Sequence, residues 1–228
     1  MKVVADLMRY GAVAVLVAAS ASGLTQSPPS DAEVNAYSGL HLAAHRGEVS
    51  QVEALLADGA DLELVDGSGR TALHIAAFAS HENVLLALAR AGSNMNALEN
   101  QAYDIVTIAA VANDLEVLET ALGNGASPSN ITSPYDGTAL IAAAHLGHHE
   151  VVKRLIDAGA PLDHVNNLNW TALIEAVVLG DGGPNHVKTA KNLVDAGADR
   201  NITDSYGRTP LDLARERGYE EMLKLLEE

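Results

Sequence analysis

Two rhythms of hydrophobic and polar positions run along the chain. In "TALHIAAFASHENVLLALARAG" (residues 71–92), a short Ala-rich apolar run is followed by a polar break. After the break, Val84, Leu85 and Leu88 recur at helical spacing on one face. Thr71 is a good N-cap for the first segment, and Gly92 ends the second, because a left-handed terminal residue costs least as glycine. The spacing therefore predicts turn, helix, loop, helix, turn.

The same phrase returns at a longer period. "DGAD", "AGSN", "NGAS", "AGAP" and "AGAD" place Gly59, Gly92, Gly125, Gly159 and Gly197 at intervals of 33, 33, 34 and 38. Leu40, Leu73, Val106, Leu140, Leu173 and Leu211 keep step at 33, 33, 34, 33 and 38. Two markers with one period define an array of repeats. Neither short helix of a unit can bury its apolar stripe alone, so stability must come from stacking. The predicted fold class is an all-α repeat solenoid.

"GRTALHIAA" (69–77), "GHHEVVKRLIDAGAPLD" (147–163) and "YGRTPLDLARERGYEEMLKLL" (206–226) resemble ankyrin repeats. The resemblance covers residues 36–228 as six units, at 36–65, 66–98, 99–131, 132–165, 166–203 and 204–228. It implies a stack of helix-turn-helix units with short β-hairpin turns at the tips and a concave groove. It also implies a protein-binding, non-enzymatic role without a cofactor. Unit three departs most from the pattern, with Ala102 at the turn glycine, Asp104 at the cap and Asn113 at the loop glycine, and is expected to be the weakest link. The histidine after the cap occurs only at His41 and His74, so its turn-to-turn hydrogen bond is expected to be missing from the C-terminal half.

Ahead of the repeats, residues 1–21 combine Lys2 and Arg9, an apolar run from Gly11 to Ala19, and a small-x-small pattern at Ala19–Ala21. The run is well short of the ~20 residues that span a bilayer. We expect a signal peptide, with Met8 as an alternative start, followed by a linker at 22–35. Export is expected, to the periplasm or outside the cell, with cytoplasmic location as the alternative. Units four to six also resemble small exported bacterial ankyrin proteins, some of them associated with oxidative-stress defence. That resemblance makes a periplasmic stress-defence enzyme one conceivable partner.

Composition narrows the function classes. Fourteen Lys and Arg against 30 Asp and Glu give a net charge of −16, which repels phosphate backbones and argues against nucleic acid. The absence of cysteine removes disulfides, thiolate metal sites and a Cys nucleophile. A capped solenoid has no need to self-associate, so a monomer is expected.

Three stretches or residue sets invite a chemical reading. "VVLGDGGPNHVKTA" (177–190) has the glycines and Lys188-Thr189 of a phosphate loop. Val187 precedes the lysine, however, Pro184 removes a donor, and a helix leads in where a strand is required. The repeat register explains it better, as about five residues inserted between the helices of unit five. His41 and His45 lie i,i+4, and His145, His148 and His149 cluster at a helix–loop junction. A metal-binding protein or hydrolase using this His-rich edge is the alternative function, although no metalloprotease pattern accompanies it. No G-x-S-x-G elbow surrounds any serine, and the carboxylates recur at turns, so no catalytic residue is assigned.

On the scaffold reading, residues that vary between units carry specificity. Arg70, Tyr103, Tyr135, Trp170, Tyr206 and Arg208 fall at or beside the tips, and Phe78 and His145 on the inner helices. These eight are the predicted partner-binding positions, because Tyr, Trp and Arg dominate interface hot spots. The chain has only eight Tyr, Phe and Trp residues, and four of them stand at the tips.

Overall fold

Threonine caps start the inner helices. The Thr138 and Thr171 hydroxyls accept hydrogen bonds from the backbone N–H three residues on, and Asp104 does the same in unit three. The computed structural model describes residues 26–227, so the predicted signal peptide lies outside the described residues. The elements are α1 (Asp31–Ala36), α2 (Gly39–Arg46), α3 (Val49–Ala57), α4 (Ala72–Phe78), α5 (Glu82–Arg90), α6 (Ile105–Ala112), α7 (Leu115–Gly123), α8 (Ala139–His145), α9 (His149–Asp157), α10 (Ala172–Val178), α11 (Pro184–Asp195), α12 (Pro210–Arg217) and α13 (Glu220–Glu227). From α2 onward they form six antiparallel pairs. Each inner helix (α2, α4, α6, α8, α10, α12) packs on the next inner one, and each outer helix on the next outer one. Paired small residues, Ala43/Ala44, Ala76/Ala77, Ala109/Ala110 and Ala143/Ala144, are fully buried and let neighbouring inner helices approach closely.

The glycine markers close the outer helices in the left-handed conformation, with φ from 85° at Gly59 to 97° at Gly92. The tips are not strand hairpins. Among the described residues the only bridge is Thr132 to Gly137, and the other tips are turns closed by two main-chain hydrogen bonds each. A polar side chain at the start of each turn does the organising. Asp66, Glu99, Asn166 and Asp204 each accept from the backbone N–H of the residues two and four further on. Such a turn is too short to build a ladder of its own.

α1 lies in the stretch expected to be linker. Ser30 and Glu33 form a capping box there, and Glu33 also pairs with Arg70 and accepts from Ser68.

Two sets of transverse hydrogen bonds reinforce the stack, the first tying inner helices to the segments that lead into the next turn and the second joining neighbouring units. His41 Nε2 donates to Leu64 O (2.9 Å) and His74 Nε2 to Ala97 O (3.0 Å), as expected of the histidine after the cap. Thr107 takes that place in unit three and meets the Thr132 hydroxyl at 3.0 Å. The second set runs at the helix–loop edge: His81 bonds His45 O, His148 bonds Ala110 O and His186 bonds His145 O, each at 3.0–3.1 Å. Arg217 continues the series on Val177 O and Val178 O. Unit three carries Asp114 at this edge, and Asp114 caps its own helix through Val117 N.

Strain adds to this gap. Ala102 sits at φ 60°, where unit two has Gly69 and unit six Gly207. A Cβ in that region costs about 1–2 kcal/mol, partly offset by the extra chain entropy of glycine in the unfolded state. Ala102→Gly is therefore expected to stabilise the chain by about 0.5–1 kcal/mol, read as a rise in urea midpoint without a change in m-value.

The insertion in unit five is divided. The helix–helix loop lengthens from three residues (146–148) to five (179–183), and the outer helix from nine residues in α9 to twelve in α11. Pro184 starts α11 in its first turn, and Lys188 is exposed. The loop is bound to its neighbours by the His186 imidazole, which meets Asp181 at 3.0 Å, and by the Tyr219 hydroxyl, which donates to Gly180 O at 2.9 Å. Gly182 (φ 70°) lies under the Tyr219 ring, and a Cβ there would fall 2.5 Å from a ring carbon. Gly182→Ala should cost about 2 kcal/mol through left-handed strain and displacement of that ring, measurable by chemical denaturation.

Candidate functional site

Turns and inner helices of units three to five enclose an apolar groove, with a cavity of about 320 Å³. Tyr103, Tyr135 and Trp170 contribute from the tips, and Ile141, His145 and Leu146 from α8 and its end. Four of the eight sequence-predicted positions, Tyr103, Tyr135, His145 and Trp170, therefore meet in one place. Tyr103 is almost wholly buried, and its phenol titrates above the usual range, because burial and the nearby Glu99 charge disfavour the phenolate. Trp170 is half-buried against the core, so part of its ring serves the stack and part the groove.

The other four lie elsewhere. Arg70 is a correction to the expectation of a surface contact, because its side chain is only 3 % exposed. It is held by Asp66 at 2.9 Å, by Glu33, and by Ser27 O at 3.3 Å. The short turn brings residue 70 back over Asp66, and α1 closes over both. Phe78 ends α4 and packs on the core. Tyr206 is 76 % exposed at the last tip, with the Arg208 guanidinium 5.1 Å from its ring centre. Arg208 also forks onto Asp204 (2.9 and 2.6 Å) and reaches Glu216 at 3.1 Å. Asp204 is held below the usual carboxylate range. Burial opposes this, but hydrogen bonds from the Arg208 side chain and from the Arg208 and Tyr206 backbone outweigh it.

Sequence reasoning missed Glu175. In the register set by Leu173, the corresponding positions are Leu42, Ile75, Ile108, Ala142 and Leu213, so unit five alone puts a carboxylate on the apolar stripe. That break in "TALIEAVV" was the available signal. Glu175 is 4 % exposed and lines the groove. Its Oε1 accepts from the Asn166 amide at 3.1 Å, while Oε2 makes no hydrogen bond among the described residues and lies 3.4 Å from His145 Nδ1. Asn166 stands where units two and six have Asp66 and Asp204. Those aspartates each meet an arginine four residues on, whereas Asn166 meets Trp170 there and turns its amide to Glu175.

Four further histidines are engaged with main-chain carbonyls, three of them between units. His81, His148 and His186 each bond a carbonyl of the preceding unit, and His164 Nε2 bonds Asp136 O at 2.6 Å. Among the described residues, no group of three His, Asp or Glu side chains is placed to hold a metal ion. No helix there is long and apolar enough to cross a membrane.

Comparison with known proteins agrees with this architecture. The family described as ankyrin repeats (three copies) matches residues 7–99 and 106–204. The ankyrin repeat protein YahD of Escherichia coli (strain K12) is 35 % identical over 187 residues, which cover 81 % of this chain and 92 % of YahD. Among solved structures, an ankyrin repeat domain from Acinetobacter baumannii AYE superposes with a TM-score of 0.78 at 40 % identity, covering 82 % of this chain and 95 % of that one. The ankyrin repeat domain of Bcl-3, a member of the IkappaB family, gives 0.75 at 25 % identity, with 83 % and 81 % covered. With a period of 33 residues, stacked helix pairs and relatives spanning most of its length, the chain belongs to the ankyrin-repeat family.

Proposed function

We propose that this chain is an exported, non-enzymatic scaffold that captures a partner protein in the groove of units three to five. Ankyrin repeats are in general protein–protein interaction modules, and proteins of the family are typically scaffolds without catalytic activity. The observation that carries the proposal is the convergence of Tyr103, Tyr135 and Trp170 around one apolar cavity. Aromatic side chains bury large area with few rotors, and they recur at the energetic centres of interfaces. The sequence of residues 1–21 supports export, and a partner engaged in stress defence fits that location.

A photo-crosslinking residue placed at Tyr135 or Leu146, and as a control at exposed Lys153 on the outer helix α9, tests the surface. Adducts from the first two positions and none from the third are expected. Adducts from Lys153 alone would move the interface to the convex side. Tyr135→Ala with Trp170→Ala should lower capture by at least tenfold, because each hot-spot ring is worth about 2 kcal/mol. Fractionation and N-terminal sequencing of the mature chain test export, and a cytoplasmic chain with its first residues intact would refute it.

A further inference from the structure

From the position of Glu175 we infer that the groove is a recognition site for a cationic side chain, a lysine or arginine presented by the bound protein segment between apolar neighbours. The inference rests on the scaffold reading and gives the partner its chemistry. Glu175 is a carboxylate on an otherwise apolar helix face, buried at the foot of the groove, with one oxygen satisfied by Asn166 and the other without a hydrogen bond. Among the described residues lining the groove there is no lysine or arginine, so none of them gives the charge a permanent counterion. A buried charge without a counterion destabilises the free protein, and it is tolerated where it discriminates between ligands.

The surroundings suit a cation. Tyr103, Tyr135 and Trp170 supply π-faces that attract ammonium and guanidinium groups. Leu146, Leu168 and Leu179 are placed to receive an aliphatic stem. The His145 side chain is 30 % exposed and stands over Glu175 Oε2, so turning that ring aside opens the oxygen to an incoming N–H donor. The charge also acts through a low-dielectric floor before contact is made. At longer range, the net charge of −16 steers basic segments toward the chain.

The test uses the full chain and four small probes: the N-acetyl methylamides of lysine, arginine, norleucine and glutamate. The indole signal of Trp170, the only tryptophan, is followed by fluorescence and NMR. The lysine or arginine probe should perturb it saturably, and the norleucine and glutamate probes at least tenfold more weakly. Glu175→Gln should remove that preference while leaving the helical signal and the thermal midpoint of the free chain unchanged or raised. Equal responses to lysine and norleucine, or an unaltered preference in Glu175→Gln, would overturn the inference. So would a lowered midpoint in Glu175→Gln, which would make the carboxylate a structural partner of Asn166. Partner crosslinking then separates the two readings. If Glu175→Gln retains capture that Tyr135→Ala and Trp170→Ala abolish, only the cation site fails. If all three variants retain it, the groove itself is not the interface.

Discussion

Ile108→Ala is expected to lower the free energy of unfolding by about 3 kcal/mol and to split a single transition into two. Ile108 is fully buried at the centre of α6, which packs between α4 and α8. Removing its branched chain loses transfer free energy and leaves a cavity that two rigid neighbours cannot close. In a solenoid each unit is held only by its neighbours, so the effect depends on where the weak interface falls. Unit three already holds Ala102 in a left-handed turn, and at its helix–loop edge Asp114 caps its own helix where His81, His148 and His186 each reach a neighbouring unit. Urea denaturation followed by Trp170 fluorescence, which reports unit five, and by far-UV circular dichroism, which reports every helix, should give separate midpoints in the variant. Coincident curves would show that the array stays cooperative across this junction.

The second large effect concerns Arg70. Its truncation to alanine should cost about 3 kcal/mol, because Asp66 would be left buried without its counterion. Asp66 also accepts from the Tyr37 hydroxyl at 2.7 Å and from the Ser68 and Arg70 amides. Burial pushes its pKa up, but the Tyr37 hydroxyl, the two amides and the Arg70 charge together hold it below the usual range. With the folded pKa depressed, this aspartate stabilises the chain above its unfolded value, about pH 4, and the contribution is lost as pH falls through the folded value. Wild-type stability should therefore drop below about pH 4, and the drop should be shallower in Arg70→Ala, whose Asp66 pKa lies nearer the unfolded one. Arg70→Lys restores charge without the fork and should recover only part of the loss. Thermal midpoints between pH 2.5 and 7 decide it, and parallel curves for wild type and Arg70→Ala would refute the assignment.

The repeat was legible because it is written twice, in glycines that need φ above zero and in leucines that face the next unit. Unit three's substitutions were visible for the same reason. Arg70 was misplaced because its burial depends on Glu33, a residue 37 positions away in a stretch that repeats nothing. The tip residues that line the groove were found by variation between units, yet variation alone could not tell which of them share a cavity. Glu175 was overlooked for a different reason. It belongs to no cluster in the sequence, and its only mark there is a single charge breaking a column of apolar residues. The five-residue insertion was located, but its division between loop and α11 depends on Pro184 setting the first turn of the helix.

The histidine rungs at the helix–loop edge also bear on how the molecule would respond to tension. Pulled from its two ends, the stack loads each inter-unit junction in series, and the first to part is the one with the fewest cross-links perpendicular to the load. Asp114 leaves the junction of units two and three without such a rung on that edge, whereas His148 and His186 tie units three, four and five together. On that edge the three units that form the groove are linked as one block, whereas the junction ahead of them carries its load through Asn100, bonded to Ser68 O and Gly67 O, and through Asn96, bonded to the turn of unit three.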